Sequence, residues 1–277
     1  MILAPLRGVT TRCFRETFAA VIREAGFREA VAPFVSAMPG FDPLAGRELG
    51  GGPDAGGIAV TPQFIGKDPA ALRSCLARIR SAGYGTADLN CGCPFPMVRN
   101  KGRGSGLLRS PDVLRRMLEV GCEVMGAGKF SVKARLGVER PDELLSLMPV
   151  LNEFPLRFLT VHARTARQIY GGAVDTAALE AVRAAAKMPV VANGDLDWSG
   201  GTGMVGRSFI RYLGTRGDIG DLLRRYIDAS AAELCGDRPV LGRIKELVSY
   251  WRDLPQWRRR WDLVKICRSA DEMRALI

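Results

Sequence analysis

Short apolar runs alternate along this chain with longer stretches in which apolar residues recur at helical spacing. The runs are Ile2–Ala4, Val31–Val35, Thr61–Ile65, Thr86–Leu89, Phe130–Ala134, Phe158–Val161, Val190–Ala192 and Gly203–Val205. They are strand-length and nearly continuous in apolar character, as strands covered on both faces are. Between them Pro69–Ala82, Pro111–Val124, Pro141–Phe154 and Asp175–Ala186 read as amphipathic helices. Pro69, Pro111 and Pro141 stand at their starts, where a missing N–H costs nothing. This rhythm predicts a parallel sheet wrapped by helices. Eight strands within about 205 residues favour a (β/α)8 TIM barrel over an open sheet.

Polar residues cluster just after the predicted strands: Arg7, Gln63, Asn90, Lys133, His162 and Asn193. In a barrel these ends converge on one face, where catalysis takes place. One connection departs from the rhythm. Only nine residues, "GDLDWSGGT", separate Asn193 from Gly203, whereas a crossover with a helix takes a dozen or more. Extended, they span roughly 30 Å, so the expectation is a barrel whose seventh outer helix is missing or reduced to a turn. Residues 1–209 form this predicted barrel. From 210 to 277 the pattern is helical only, with segments Ile219–Ala232, Val240–Arg252 and Trp257–Cys267, and is read as a small C-terminal helical domain.

Charge sharpens the picture. The formal net charge is +11, which in a protein of this size points to a polyanionic partner, nucleic acid above all. The helical segment carries Arg224, Arg225, Arg238, Arg243, Lys245, Arg252 and the run Arg258, Arg259, Arg260. That run is read as a polyanion-binding face rather than merely solvated surface. No apolar run is long enough to span a bilayer. The N-terminus shows no charged leader, and the seven scattered cysteines suit a reducing compartment, so a cytoplasmic protein is expected.

Cys91 and Cys93 lie in "LNCGCPFPMVRNKGRGSGLL". A single intervening residue and a single histidine in the chain argue against zinc and against a C-x-x-C redox pair. An acyl-transfer nucleophile would have only His162 as its base. What remains is a general acid, since a thiol is still protonated at neutral pH, or two buried small residues. In "FSVKARLG", Lys133 and Arg135 project the same way from one strand, and two cations at a barrel mouth are costly unless they meet an anion or an electron-rich ring. His162, Arg164 and Arg167 in "TVHARTARQIYGG" form a cationic loop suited to phosphate. Glycine-rich "ANGDLD" and "GTGMVGRS" follow the seventh and eighth strands, where backbone amides commonly hold phosphate, and Arg207 would add a fork for the anion.

The segments "APLRGVT", "PQFIGKDP", "DLNCGCP" with "GRGSGLL", "VKARLG", "VHARTARQIYGG", "NGD" and "MVGR", in this order, resemble the bacterial tRNA-dihydrouridine synthases, which are flavin enzymes. The tail "GRIKELVSYW" is most similar to the branch acting on uridine 16. The resemblance implies reduction of a tRNA uridine to 5,6-dihydrouridine, with hydride from reduced FMN to C6 and a proton from Cys93 to C5. NADPH or NADH would be the reductant. By the same resemblance Pro5, Gln63, Lys133, His162, Asn193, Gly194, Asp195, Gly206 and Arg207 would bind FMN. Asn90, Arg135, Arg164 and the arginines 258–260 would meet the tRNA. A monomer without a metal is expected. Two departures stand out: Leu6-Arg7 replaces a methionine and a small residue, and the loop before "MVGR" is about ten residues short. The remaining alternatives are a barrel flavoenzyme reducing a small molecule, or a tRNA-binding homologue with impaired catalysis.

Overall fold

The structure, a computed structural model, describes residues 1–277 with the side chain of Trp198 outside the description. Its strands are β1 (Ile2–Leu3), β2 (Glu29–Val31), β3 (Val35–Ser36), β4 (Ala59–Thr61), β5 (Gln63–Ile65), β6 (Ala87–Cys91), β7 (Phe130–Gly137), β8 (Leu159–Thr165), β9 (Val190–Asn193) and β10 (Met204–Val205). All pair in parallel in the order β3-β5-β6-β7-β8-β9-β10-β1-β2-β4. The two ends of that order are one place in space. Pro62, which has no N–H to give a ladder, splits a single stave into β4 and β5. Its neighbour is likewise split into β2 and β3. β2 pairs with β4 and β3 with β5, so the sheet closes as an eight-stave barrel of the expected class.

Each predicted strand corresponds to an observed one, and three of the four predicted barrel helices form nearly as expected. The helix Pro69–Ser81 starts at Asp68, whose carboxylate accepts from the amides of Ala70 and Ala71, and it buries Leu72, Cys75, Leu76 and Ile79. Pro111–Met125 stops at Gly126, which has φ 95°. The stretch expected to be one helix over Pro141–Phe154 is instead two short ones, Glu143–Ser146 and Met148–Leu151. Pro149 explains the break, because its ring would collide with the carbonyl of Leu145 in a continuous helix. Between β9 and β10 there is a single 3-10 turn, Trp198–Gly200, in line with the expected loss of a helix. Helices without a counterpart among the predicted segments include Arg12–Thr17, Ala19–Glu24, Pro96–Arg99, Arg207–Leu213 and Ala270–Leu276.

The core falls into two large clusters. One fills the space between the strands and helices from Ala32 to Met188. The other joins β1 and the helices Arg12–Thr17 and Ala19–Glu24 to the C-terminal helices, through Phe14, Phe18, Phe209, Tyr226, Trp251 and Trp257. Position 209/210 lies inside the helix Arg207–Leu213. Trp251 Nε1 donates to the carbonyl of Ile210 at 2.6 Å and Trp257 Nε1 to that of Gly214 at 2.8 Å, with the two rings 4.8 Å apart. The helix that follows the last barrel strand is thus clamped by the C-terminal helices. Among the described residues no helix is long and apolar enough to cross a membrane.

Trp251→Ala removes a fully buried ring and orphans the Ile210 carbonyl. It should lower unfolding free energy by roughly 3–5 kcal/mol in a urea titration followed by circular dichroism. Because the second cluster spans both parts of the chain, far-UV and fluorescence transitions of the wild-type protein should coincide; two separated transitions would show that the C-terminal helices unfold alone.

Candidate functional site

A cavity of about 580 Å³ opens at the C-terminal ends of the strands, within the range of small-molecule and cofactor sites. Strand register places its polar residues in one layer. Asn90 pairs with Lys133, Arg135 with His162, His162 with Asn193, and Asn193 with Met204. Sequence reasoning placed Pro5, Asn90, Cys93, Lys133, Arg135, His162, Asn193, Gly194, Asp195, Gly206 and Arg207 at the site, and all of them line this cavity. Gln63 stands one layer behind, fully buried; its amide is engaged by Asp88 and Asn90 at 2.8 Å each. Arg164 is also buried, reaching the rim through Asp195. Arg258, Arg259 and Arg260 are exposed on the helix Pro255–Ile266, away from the cavity, with Arg260 lying over the Trp257 ring.

The two cysteines separate cleanly. Cys91 is the last residue of β6 and packs in the core between strands and helices. Cys93 lies past the strand, in a loop that turns back over the mouth, and lines the cavity. Both thiols are pushed up by burial, Cys91 further by the charge of Asp88. For Cys93 a backbone hydrogen bond at Phe95 and the charges of Arg7 and Arg135 oppose that push. It is therefore a protonated thiol at neutral pH, facing open space. Gly104, at φ 57°, lies directly against it: a Cβ there would come within 2.8 Å of the Cys93 Cβ. The bulk of any other side chain would displace the thiol.

The opposite wall is cationic. Lys133 donates to Asn193 Oδ1 at 2.8 Å, and burial with the neighbouring Arg135 lowers its pKa to about 8. Arg135 donates to the carbonyls of Gly92 and Thr165, and burial lowers it to about 10. His162 is lowered to about 2, by burial first and then by Lys133, Arg135, Arg164 and Arg207. It is a neutral imidazole at any working pH, able to donate or accept a hydrogen bond but not to supply charge. Asp195 faces these cations and bridges Arg164 and Arg207, and Arg164 first and then the other charges hold it below the usual carboxylate range. Among the described residues of this wall, the buried His162 Nδ1 and Arg164 Nη1 have no hydrogen-bond partner. Buried polar atoms without a partner, one of them a guanidinium N–H donor, beside excess positive charge fit an anionic, hydrogen-bonding ligand.

Several lining residues escaped the sequence reading. Tyr170 is half exposed and lies under the guanidinium of Arg207 at 4.6 Å and that of Arg135 at 5.5 Å. Glu246 and Tyr250 reach the cavity from the C-terminal helix Asp237–Ser249 and its cap, a juxtaposition that only tertiary packing creates. Phe95, half exposed beside Cys93, completes an aromatic rim. Arg7, which the sequence places after the first strand at the converging face, does line the cavity, with its guanidinium over the Phe34 ring.

Comparison with solved structures finds the same fold in an old yellow enzyme homologue from Zymomonas mobilis. Its TM-score is 0.54 at 14% identity, over 76% of this chain and 85% of that one. Morphinone reductase matches with a TM-score of 0.54 at 12% identity, over 76% of this chain and 82% of that one. At such identities these matches speak to the fold alone. Sequence relatives are closer. A probable tRNA-dihydrouridine synthase of Rhodobacter capsulatus is 31% identical over 75% of this chain and 66% of its own length. The tRNA-dihydrouridine synthase B of Vibrio cholerae is 30% identical over 71% and 60%, and the tRNA-dihydrouridine(16) synthase of Pseudomonas putida is 31% identical over 71% and 63%. The match to this chain thus spans between 60% and 66% of the length of these relatives. The family model for dihydrouridine synthase (Dus) matches residues 2–200, which hold the whole barrel sheet apart from β10 and every cavity residue up to Leu196. By that match the chain belongs to the dihydrouridine synthase family.

Proposed function

We propose that this chain reduces a uridine of tRNA to 5,6-dihydrouridine at the barrel mouth, using FMN, with uridine 16 the position to test first. The observation that carries this reading is the pairing of a protonated thiol, Cys93, with a cationic wall that holds two unpartnered buried polar atoms, His162 Nδ1 and Arg164 Nη1. FMN, recharged by NADPH or NADH, would supply the hydride that adds to C6 of the base. The remaining work falls to side chains of this chain.

Arg164 and Arg207, with the backbone of Gly194 and Gly206, suit the phosphate end. Gly194 has φ 107° and passes so close beneath His162 that a Cβ would sit 3.1 Å from its ring. Lys133, Asn193 and the neutral His162 suit the polar edge of a ring system. Hydride addition at C6 builds enolate-like charge on the uracil, which Arg135 and Lys133 would stabilise. Cys93 would then deliver its proton to C5. A base inside folded tRNA must be turned out to reach this depth, and Phe95 and Tyr170 offer apolar faces at the rim. The C-terminal helices, residues 210–277, would grip the tRNA by phosphate contacts, with Arg258, Arg259 and Arg260 as exposed candidates. That basic surface favours tRNA over a small-molecule substrate.

Three outcomes test this reading. Cys93→Ala should keep the yellow cofactor and tRNA binding while dihydrouridine formation falls 10²- to 10⁴-fold; unchanged turnover would sink the acid assignment. Lys133 is charged below about pH 8, and an anionic ligand favours its ammonium. FMN affinity should therefore be flat below pH 8 and fall by up to tenfold per unit above it, measured by flavin fluorescence quenching, and Lys133→Met should abolish the dependence. Reversing Arg258, Arg259 and Arg260 to Glu should weaken tRNA binding and flatten its salt dependence, whereas an unaltered affinity would show these arginines to be solvated surface only.

A further inference from the structure

Asp88 is fully buried and is paired in no salt bridge among the described residues, with Lys133 the one cation near enough to favour its charged form. Burial raises its pKa to about 6, so the charge is present at neutral pH in spite of its cost. Each of its oxygens accepts a side-chain hydrogen bond: Ser131 Oγ donates to one at 2.6 Å and Gln63 Nε2 to the other at 2.8 Å. From Gln63 the hydrogen bonds continue in one direction. Asn90 Nδ2 donates to Gln63 Oε1 at 2.8 Å, and Asn90 Oδ1 accepts from the amides of Gly92 at 3.1 Å and Cys93 at 2.9 Å. The Cys93 carbonyl is held in turn by Ser105 Oγ at 2.8 Å, and the Gly92 carbonyl by Arg135 Nε at 3.0 Å.

Gln and Asn side chains are symmetric in shape and opposite in chemistry at their two ends, so a chain of amides takes its direction from its ends: the N–H groups of Gly92 and Cys93 at one and residue 88 at the other. An ionised carboxylate only accepts. It forces Gln63 to turn its NH2 toward residue 88, which turns the Gln63 oxygen toward Asn90, which turns the Asn90 oxygen toward the loop. With the opposite polarity an NH2 group would face the N–H of Cys93, and the loop could not stay where it is. We propose that Asp88 is a positioning residue that sets the polarity of the Gln63–Asn90 amide chain and thereby fixes the Cys93 loop over the cavity. The consequence for catalysis rests on the reading of Cys93 as proton donor; the positioning itself does not.

A charge-relocation cycle tests it. In Asp88→Asn the buried end no longer fixes the polarity, because residue 88 can turn an NH2 as well as an oxygen toward Gln63, and in Asn90→Asp two acceptors face one amide. In the double variant the chain is whole again with its middle reversed: Asn at 88 donates to Gln63 Oε1, Gln63 Nε2 donates to the new carboxylate at 90, and that carboxylate accepts from Cys93 N–H. Amide hydrogen exchange resolved to Cys93 should be at least tenfold faster in each single variant and return to within twofold of wild type in the double. The amides of Leu89 and Val132 in the flanking strands should stay slow throughout. Losses that simply add in the double variant, or single variants that exchange as wild type, would overturn the proposal. Should Asp88→Asn fail to fold, a folded double variant supports it and an unfolded one overturns it. Exchange is read without cofactor or tRNA, so failure here is distinguishable from failure of the proton-donor reading, which Cys93→Ala turnover reports.

Discussion

Excess positive charge in a low-dielectric mouth is the constraint around which this barrel is arranged. Lys133, Arg135, Arg164 and Arg207 all act on His162, and Asp195 is the carboxylate that bridges two of them. Such a cluster is unfavourable by itself, and the lowered pKa values of Lys133 and Arg135 record the strain. The fold tolerates it through backbone carbonyls: Arg135 is held by Gly92 and Thr165, and Arg164 by Gly171 and Gly172. These carbonyls fix the guanidinium planes without neutralising them. Charge is thereby kept available for a ligand, which is what electrostatic preorganisation requires.

The same layer explains how the barrel survives its short seventh connection. β9 and β10 are paired in register only at Asn193 and Met204, a thin seam for a closed sheet. The Asn193 side chain reinforces it, donating from Nδ2 to the Met204 carbonyl at 2.7 Å while its oxygen accepts from Lys133. Ser208 Oγ reaches back to the Leu196 carbonyl at 2.6 Å. Side-chain hydrogen bonds thus stand where helix packing would otherwise hold the last two staves together. The Trp251 and Trp257 indoles then pin the following helix from outside, and with it the position of Arg207.

Much of this was legible in the sequence because a barrel converts strand order into proximity. Lys133, Arg135, His162 and Asn193 each sit at a strand's C-terminal end, so once the rhythm gave a barrel their convergence followed. The cysteines show where that logic stops. Alternation alone would put Cys91 and Cys93 on one side, yet β6 ends at Cys91 and the chain turns at Gly92. The turn leaves one thiol in the core and opens the other to the cavity. Tyr170, Glu246 and Tyr250 were invisible for a different reason: a surface loop and a C-terminal helix bring them in by packing, and no local pattern encodes that. The break at Pro149 was readable in principle, since proline inside a helical period is a stop signal, but the apolar spacing around it concealed the interruption.

Asp88 belongs to neither group. In the sequence it is the one acidic residue of its strand, the sort of position where a buried charge argues against a simple core role. Apolar replacement of a buried charge is often neutral or stabilising when the charge only fills space. Here the carboxylate closes the buried end of a chain of amides whose other end meets the N–H groups of Gly92 and Cys93, so that both ends enforce one direction, and its other oxygen anchors to Ser131 on the adjacent strand. The loop it orients carries the thiol, while Arg135, on the same loop's other side, belongs to the cationic wall. One buried acceptor therefore ties the position of the proton to the position of the charge, across two neighbouring strands whose register is set by five consecutive pairs from Ala87 to Cys91.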